Sequence, residues 1–147
     1  MHEAIRPFVT AIDHVGVAVP DLDKAIAFYR DTFGFECTHE ETNEEQGVRE
    51  AMLHAPGDAA TSTAIQLLAP LRPDSTIGKF LDTRGAGLQQ LACRVTDIEA
   101  VSAALRERGL RLLYPEPRHG TANSRVNFVH PKDAGGVLVE LVEPAAD

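Results

Sequence analysis

The chain has no tryptophan and few aromatic side chains of any kind, 5% of its 147 residues. Proteins that hold single-stranded nucleic acid stack its bases on aromatic rings, so this scarcity argues against such a platform. Basic residues are also outnumbered. There are 14 Lys and Arg against 22 Asp and Glu, a formal net charge of −8. Sequence-independent nucleic-acid binding needs the opposite balance. An anionic small molecule is not excluded, because single arginines set the local field. No apolar run approaches the ~20 residues that cross a bilayer, so no membrane association is expected. The stretch Met1-His-Glu-Ala-Ile-Arg-Pro7 lacks the basic and apolar regions of a secretory leader, and the expected location is cytoplasmic. Two cysteines, Cys37 and Cys93, make no disulfide framework. Both sit in apolar, strand-like surroundings and read as small buried thiols.

What the chain does have is an internal repeat. Ala11-Ile-Asp-His-Val-Gly-Val-Ala-Val19 alternates cleanly, with Val15, Val17 and Val19 on one face of a strand and His14, Gly16 and Ala18 on the other. The valine face reads as core. The histidine has only small neighbours on its face, which leaves room for something to sit against it. The same pattern returns as Leu88-Gln-Gln-Leu-Ala-Cys-Arg-Val95, and at one constant offset His14 aligns with Gln90, Asp21 with Asp97 and Arg30 with Arg106. At a slightly smaller offset Pro70 aligns with Pro144 and Gln66 with Glu140, as small turn insertions produce.

Each copy reads as strand, helix and three strands. In the first, Asp21 caps a helix whose apolar positions Leu22, Ala25, Ile26 and Tyr29 keep helical spacing, and Gly34 closes it. Strands are expected over 35–41, 48–54 and 63–68, separated by the turns Asn43-Glu-Glu-Gln-Gly47 and Pro56-Gly57-Asp58. A linker carries a short helix through Ile77, Phe80 and Leu81, which Gly85 stops. In the second copy Asp97 caps a helix bearing Ile98, Val101 and Leu105. Strands are expected over 110–114, 125–130 and 137–142, with 115–123 a polar loop. The fold class is α+β: paired βαβββ modules with curved mixed sheets that enclose a cleft. One domain over 10–145 holds modules at about 10–70 and 87–145, joined by the helical linker 71–86.

Glu140 is the sharpest single clue. It lies within Gly136-Val-Leu-Val-Glu-Leu-Val142, where a lone buried carboxylate costs several kcal/mol or neutralises itself. The plain alternative is an ion pair or a strand end that reaches water. Its repeat partner Gln66 interrupts the equally apolar Ala64-Ile-Gln-Leu-Leu68. Two polar intrusions at equivalent positions, beside His14 and Gln90, favour one convergent cluster over four separate accidents. Imidazole, amide and carboxylate together suit a divalent ion that presents open positions to substrate oxygens.

The chain resembles the methylmalonyl-CoA epimerases of the vicinal oxygen chelate (glyoxalase/bleomycin resistance) superfamily. The stretches that carry the resemblance are Ile12-Asp-His-Val-Gly-Val-Ala18, Ala27-Phe-Tyr-Arg-Asp-Thr-Phe-Gly-Phe35, Asn43-Glu-Glu-Gln-Gly-Val-Arg-Glu-Ala-Met52, Ile65-Gln-Leu-Leu68, Asp74-Ser-Thr-Ile-Gly-Lys-Phe-Leu81, His130-Pro-Lys-Asp133 and Gly136-Val-Leu-Val-Glu-Leu-Val142. The resemblance implies a homodimer and a divalent metal ion, of Co, Mn, Mg or Zn, on His14, Gln66, position 90 and Glu140. It implies an acyl-CoA or related thioester substrate. The reaction moves the proton on the carbon between thioester and carboxylate, with Glu50 and Glu140 as catalytic acid/base groups. Judged on its surroundings in sequence alone, Glu50 is a solvated charge in an acidic run.

Three positions depart from the family. Relatives read Gly-Leu-His-His where this chain has Gly87-Leu-Gln-Gln90, so an amide replaces the second ligating histidine. Such a set leans toward magnesium, manganese or calcium. Ala69 stands where many relatives are acidic, and Gly136 where many carry a larger side chain. These changes keep open a diverged enzyme of another enolate-type reaction, metal-free or not, and a non-catalytic small-molecule binder. A buried carboxylate pair speaks against the binder. The missing histidine disfavours the iron ring-cleaving oxygenases of the superfamily.

Overall fold

The computed structural model describes residues 8–58 and 62–146. The stretch 1–7, on which the leader reading rests, lies outside them. In chain order the elements are β1 (Val9–Ala18), α1 (Leu22–Phe33), β2 (Glu36–Asn43), β3 (Val48–His54), β4 (Ala64–Pro70), α2 (Thr76–Arg84), β5 (Gly87–Val95), α3 (Ile98–Glu107), β6 (Arg118–His119), β7 (Arg125–Val129) and β8 (Val139–Glu143). Single 3-10 turns cover Thr121–Asn123 and Pro131–Asp133. Among the described residues no helix is long and apolar enough to cross a membrane.

The capping residues fall where their chemistry places them. Asp21 Oδ1 accepts from the Lys24 amide at 3.1 Å, and Asp97 Oδ1 from the Ala100 amide at 3.0 Å. Gly34 adopts φ 76°, a left-handed conformation that costs glycine nothing, and donates to the Arg30 carbonyl at 3.0 Å.

The chain forms two compact units. One is His14–Gln89; the other joins the residues up to Asp13 to those from Gln90 onward. In the first, the His14–Ala18 half of β1 runs parallel to β4, which pairs antiparallel with β3, and β3 with β2. Helix α1 covers one sheet face. There Leu22, Ala25, Ile26 and Tyr29 pack on Val17, Ala51, Leu53 and Leu67. On the opposite face Ala18, Val48 and Leu68 are sealed by Ile77, Phe80 and Leu81 around α2. The face of β1 read as open is its most buried: Ala18 is fully covered, at the end that α2 caps, and His14 is nearly so.

In the second unit β5 runs parallel to β8, β8 pairs antiparallel with β7, and β7 with β6. Helix α3 packs Ile98, Val101 and Leu105 on Val95, Val129 and Leu141. The opposite face carries Ala92, Val126, Val142 and Phe128. Asp13 of β1 pairs with Arg94 of β5 at 2.8 Å within this unit.

Two sequence expectations are corrected. Residues 110–114 form no strand, apart from a single bridge from Leu112 to Val129. Leu113 donates to the Phe128 carbonyl and His130 to that of Arg111, and at Tyr114 the fully buried Asn127 takes the place of the ladder. Its Oδ1 accepts from the Tyr114 amide at 3.1 Å, and its Nδ2 donates to the Tyr114 carbonyl at 3.0 Å. Pairing resumes at β6, inside the stretch read as a loop, once the prolines at 115 and 117, which have no N–H to give, are past. Cys37 is exposed rather than buried, since β2 pairs on one side only and its register shifts between Cys37 and His39. Cys93 is half-buried, and burial pushes its thiol up.

Gly78 in α2 is a point of close approach. A Cβ there meets the Pro73 carbonyl oxygen at 2.5 Å and that of Arg72 at 2.8 Å. Ala normally improves a helix by ~1 kcal/mol over Gly. Here Gly78→Ala is expected to destabilise by ~1–3 kcal/mol, the range of overpacking, read as a lower Tm in thermal melts. Ahead of β8, Asp133 accepts from Arg111 Nε, Nη2 and backbone amide, all within 3.0 Å. The Arg111 side chain, then its backbone amide, holds the carboxyl down to about 2. A carboxyl lowered on folding stabilises above its unfolded value and loses that contribution as pH falls through the folded one. Asp133→Asn should therefore lower Tm at neutral pH and flatten the decline of Tm between about pH 4 and about pH 2.

Candidate active site

In a strand, register partners share a face and alternate residues return to it. In the unit His14–Gln89 the register pairs Gly16 with Gln66, Met52 with Gln66, and Glu50 with Leu68. His14, Glu50 and Gln66 thus share the face that α1 does not cover. All three are buried, with exposures of 3%, 6% and 3%. Gln66 Nε2 donates to Glu50 Oε2 at 2.8 Å. A buried carboxylate is costly without donors, and this amide supplies one. The picture of Glu50 as a solvated charge is overturned, because strand parity in β3 sets Glu50 on the inner face with Val48.

Two further residues on this face had no signal in the sequence. Glu41 of β2 lies directly opposite Glu50 in register, and His39 is opposite Met52. His39 Nε2 and Glu41 Oε1 are 2.7 Å apart. The stretch Glu36–Asn43 is polar on both faces, so no alternation marks an inner one.

In the second unit Ala92 and Phe128 are the register partners of Glu140. Gln90 stands two residues before Ala92 and so shares their face, the one α3 leaves uncovered. Gln90 Nε2 donates to Glu140 Oε1. Glu140 is 6% exposed among Ala92, Val126 and Val142. It does not end in water, and the Gln90 amide is a partner.

The two units therefore repeat one device: a buried carboxylate held by a glutamine amide on the face opposite α1 or α3. The device is not symmetric. Glu50 opposes Leu68 in one unit, whereas Val126 opposes Val142 at the matching place in the other. Each unit brings together one half of the expected set, Glu50 with Gln66 and Gln90 with Glu140. Among the described residues no three of His, Cys, Asp and Glu gather as a metal-ligand group. Asn127, between Val126 and Phe128, bears the same polar-in-apolar signature as Gln66 and Glu140, but its amide holds backbone on the α3 side.

Comparison with known proteins agrees with this geometry. The family model described as Glyoxalase/Bleomycin resistance protein/Dioxygenase superfamily matches residues 13–128. The chain is similar to the crystal structure of methylmalonyl-CoA epimerase from Mycobacterium tuberculosis, at 57% identity and TM-score 0.90, covering 99% of this chain and 93% of that one. A variant of Streptomyces coelicolor methylmalonyl-CoA epimerase, in complex with 2-nitronate-propionyl-CoA, is 49% identical with TM-score 0.89, covering 94% of this chain and 99% of that one. The ethylmalonyl-CoA/methylmalonyl-CoA epimerase of Cereibacter sphaeroides is 39% identical over 132 residues, 88% of this chain and 95% of that protein. With paired βαβββ elements and a likeness along nearly its whole length, the chain belongs to the glyoxalase/bleomycin resistance protein/dioxygenase superfamily and, within it, to the methylmalonyl-CoA epimerases.

Proposed function

We propose that this chain is an isomerase that inverts the acidic carbon of methylmalonyl-CoA or a closely related acyl-CoA, with Glu50 and Glu140 as its two acid/base groups. The observation that carries the reading is the pair of buried carboxylates, each fixed by an amide on the sheet face opposite α1 or α3. Inversion needs a proton removed from one side of the carbon and returned on the other, hence two groups. A binder has no use for two buried carboxylates, whose burial costs stability. Glu50 accepts from Gln66, which holds the carboxylate in one orientation. Gln90 does the same for Glu140. Both lie among apolar neighbours that keep bulk water from the reacting carbon.

His14, Gln66, Gln90 and Glu140 are the proposed ligands of a divalent ion. One imidazole, two amides and one carboxylate are chemically fit for this. An amide whose nitrogen donates to a carboxylate still has its carbonyl oxygen as a ligand atom. An ion held there supplies Lewis-acid stabilisation of the enolate oxygen, the charge that limits loss of a proton beside a thioester. With no second histidine the set favours manganese or magnesium over zinc. The competing arrangement is metal-free, the amides alone satisfying the carboxylates. A homodimer is part of the same proposal, and the molar mass in solution tests it.

Proton exchange of methylmalonyl-CoA in D2O, followed together with chiral analysis of the product, tests the two-base assignment. Glu50→Gln should abolish inversion, a loss of ~10²–10⁴-fold, while one-sided exchange persists through Glu140. Glu140→Gln should lose exchange and metal affinity together. Full inversion by Glu50→Gln overturns the assignment. Gln90→His should raise affinity for cobalt or zinc in a competition titration. An unchanged affinity removes position 90 from the ligands.

A further inference from the structure

We infer that Glu41 and His39 form a proton relay that connects the buried Glu50 to solvent. The inference rests on the epimerase reading and adds to it two residues outside the acid/base pair and the metal set. The need for a relay follows from the chemistry. Inversion in one direction leaves Glu50 holding the proton it took and Glu140 without the one it gave; the other direction leaves the opposite. Before the next turnover in the same direction, Glu50 has to exchange a proton with water. Yet Glu50 is only 6% exposed, stands opposite Leu68 in register, and accepts from the Gln66 amide at 2.8 Å.

Strand β2 supplies the way out. Glu41 is the register partner of Glu50, and His39 that of Met52, so all of them share one face. Directly opposed residues of an antiparallel pair stand ~4.5–5.5 Å apart at Cβ, which makes the two carboxyl groups neighbours. Two negative charges at that spacing repel, so a proton gained by either is shared with the other. Glu41 Oε1 in turn lies 2.7 Å from His39 Nε2. Exposure rises along the series, from the buried Glu50 to 23% for the Glu41 side chain and 40% for that of His39, on a strand at the sheet edge. An imidazole takes a proton on one nitrogen and releases one from the other, as a shuttle to water requires. Outward, the Glu50 carboxyl proton passes to Glu41 and on to His39 Nε2, and the Nδ1 proton leaves to water. Inward, the same steps run backwards. Only O–H and N–H bonds form and break, and the sum is one proton exchanged with solvent. In the second unit the register partners of Glu140 are Ala92 and Phe128, whose side chains carry no such proton.

Steady-state rates of the purified full chain with a single epimer of methylmalonyl-CoA, in the presence of a divalent metal ion, test the relay. Proton exchange between turnovers enters kcat but not kcat/KM, because at low substrate the free enzyme has time to re-equilibrate. His39→Ala and Glu41→Gln should each lower kcat by about tenfold or more with kcat/KM unchanged, so that KM falls in step. Added imidazole should restore the kcat of His39→Ala and leave Glu41→Gln as it is. A joint loss of kcat and kcat/KM that imidazole does not reverse marks a displaced Glu50 rather than a relay, and overturns the inference. Unchanged kcat in both variants overturns it as well. An unmutated protein that neither inverts methylmalonyl-CoA nor exchanges its proton overturns the epimerase reading instead.

Discussion

Everything about this site depends on keeping a carboxylate buried. Glu50 and Glu140 each sit on a sheet face among apolar neighbours, and each accepts from a glutamine amide. Charge in such a place is expensive unless donors are already aimed at it. The strands supply that aim. Glu50 and Gln66 are diagonal neighbours across β3 and β4, and Gln90 and Glu140 across β5 and β8, so the donor needs no loop to position it. A group held in this way needs little rearrangement when a proton moves, which is what acid/base chemistry beside a thioester asks for.

The duplicated architecture explains why two such groups are at hand. A βαβββ unit gives one sheet face to its own helix and leaves the other. α1 and α3 occupy the first in each unit, and their apolar stripes match strand residues of the same parity. The remaining face is where polar residues gather. Duplication alone yields two equal faces, and the two have since diverged. One has Glu50, backed by Glu41 and His39; the other has Val126 and Phe128 in the comparable region, with Tyr114 and Arg118 beyond. One face is richer in acid/base groups, the other in apolar and aromatic ones.

Much of this was legible in the amino-acid order because it follows from short-range rules. Strand parity, aspartate caps, the left-handed glycine after α1 and the offset between His14 and Gln90 are all local or periodic. The polar interruptions Gln66 and Glu140 stand out because their flanks are apolar. Glu50 was legible only through family resemblance, since its neighbours are themselves acidic. The expected strand over 110–114 shrinks to one bridge, and at its end the Asn127 side chain, on another strand, satisfies the Tyr114 backbone, which no local pattern reports.

The sequence by itself determined the order of elements, the repeat, and the identity of the residues able to carry charge on a sheet face. These depend on backbone preferences and on a two-residue period, both of which are written residue by residue. Only the tertiary structure decided which of those residues meet. That Gln66 donates to Glu50, that Glu41 faces Glu50, that α2 seals the far end of the His14 face, and that Tyr114 carries Arg118 all follow from strand register and packing. Register is a cooperative outcome of the whole core, because a slip of one residue sends every side chain of a strand to the other face.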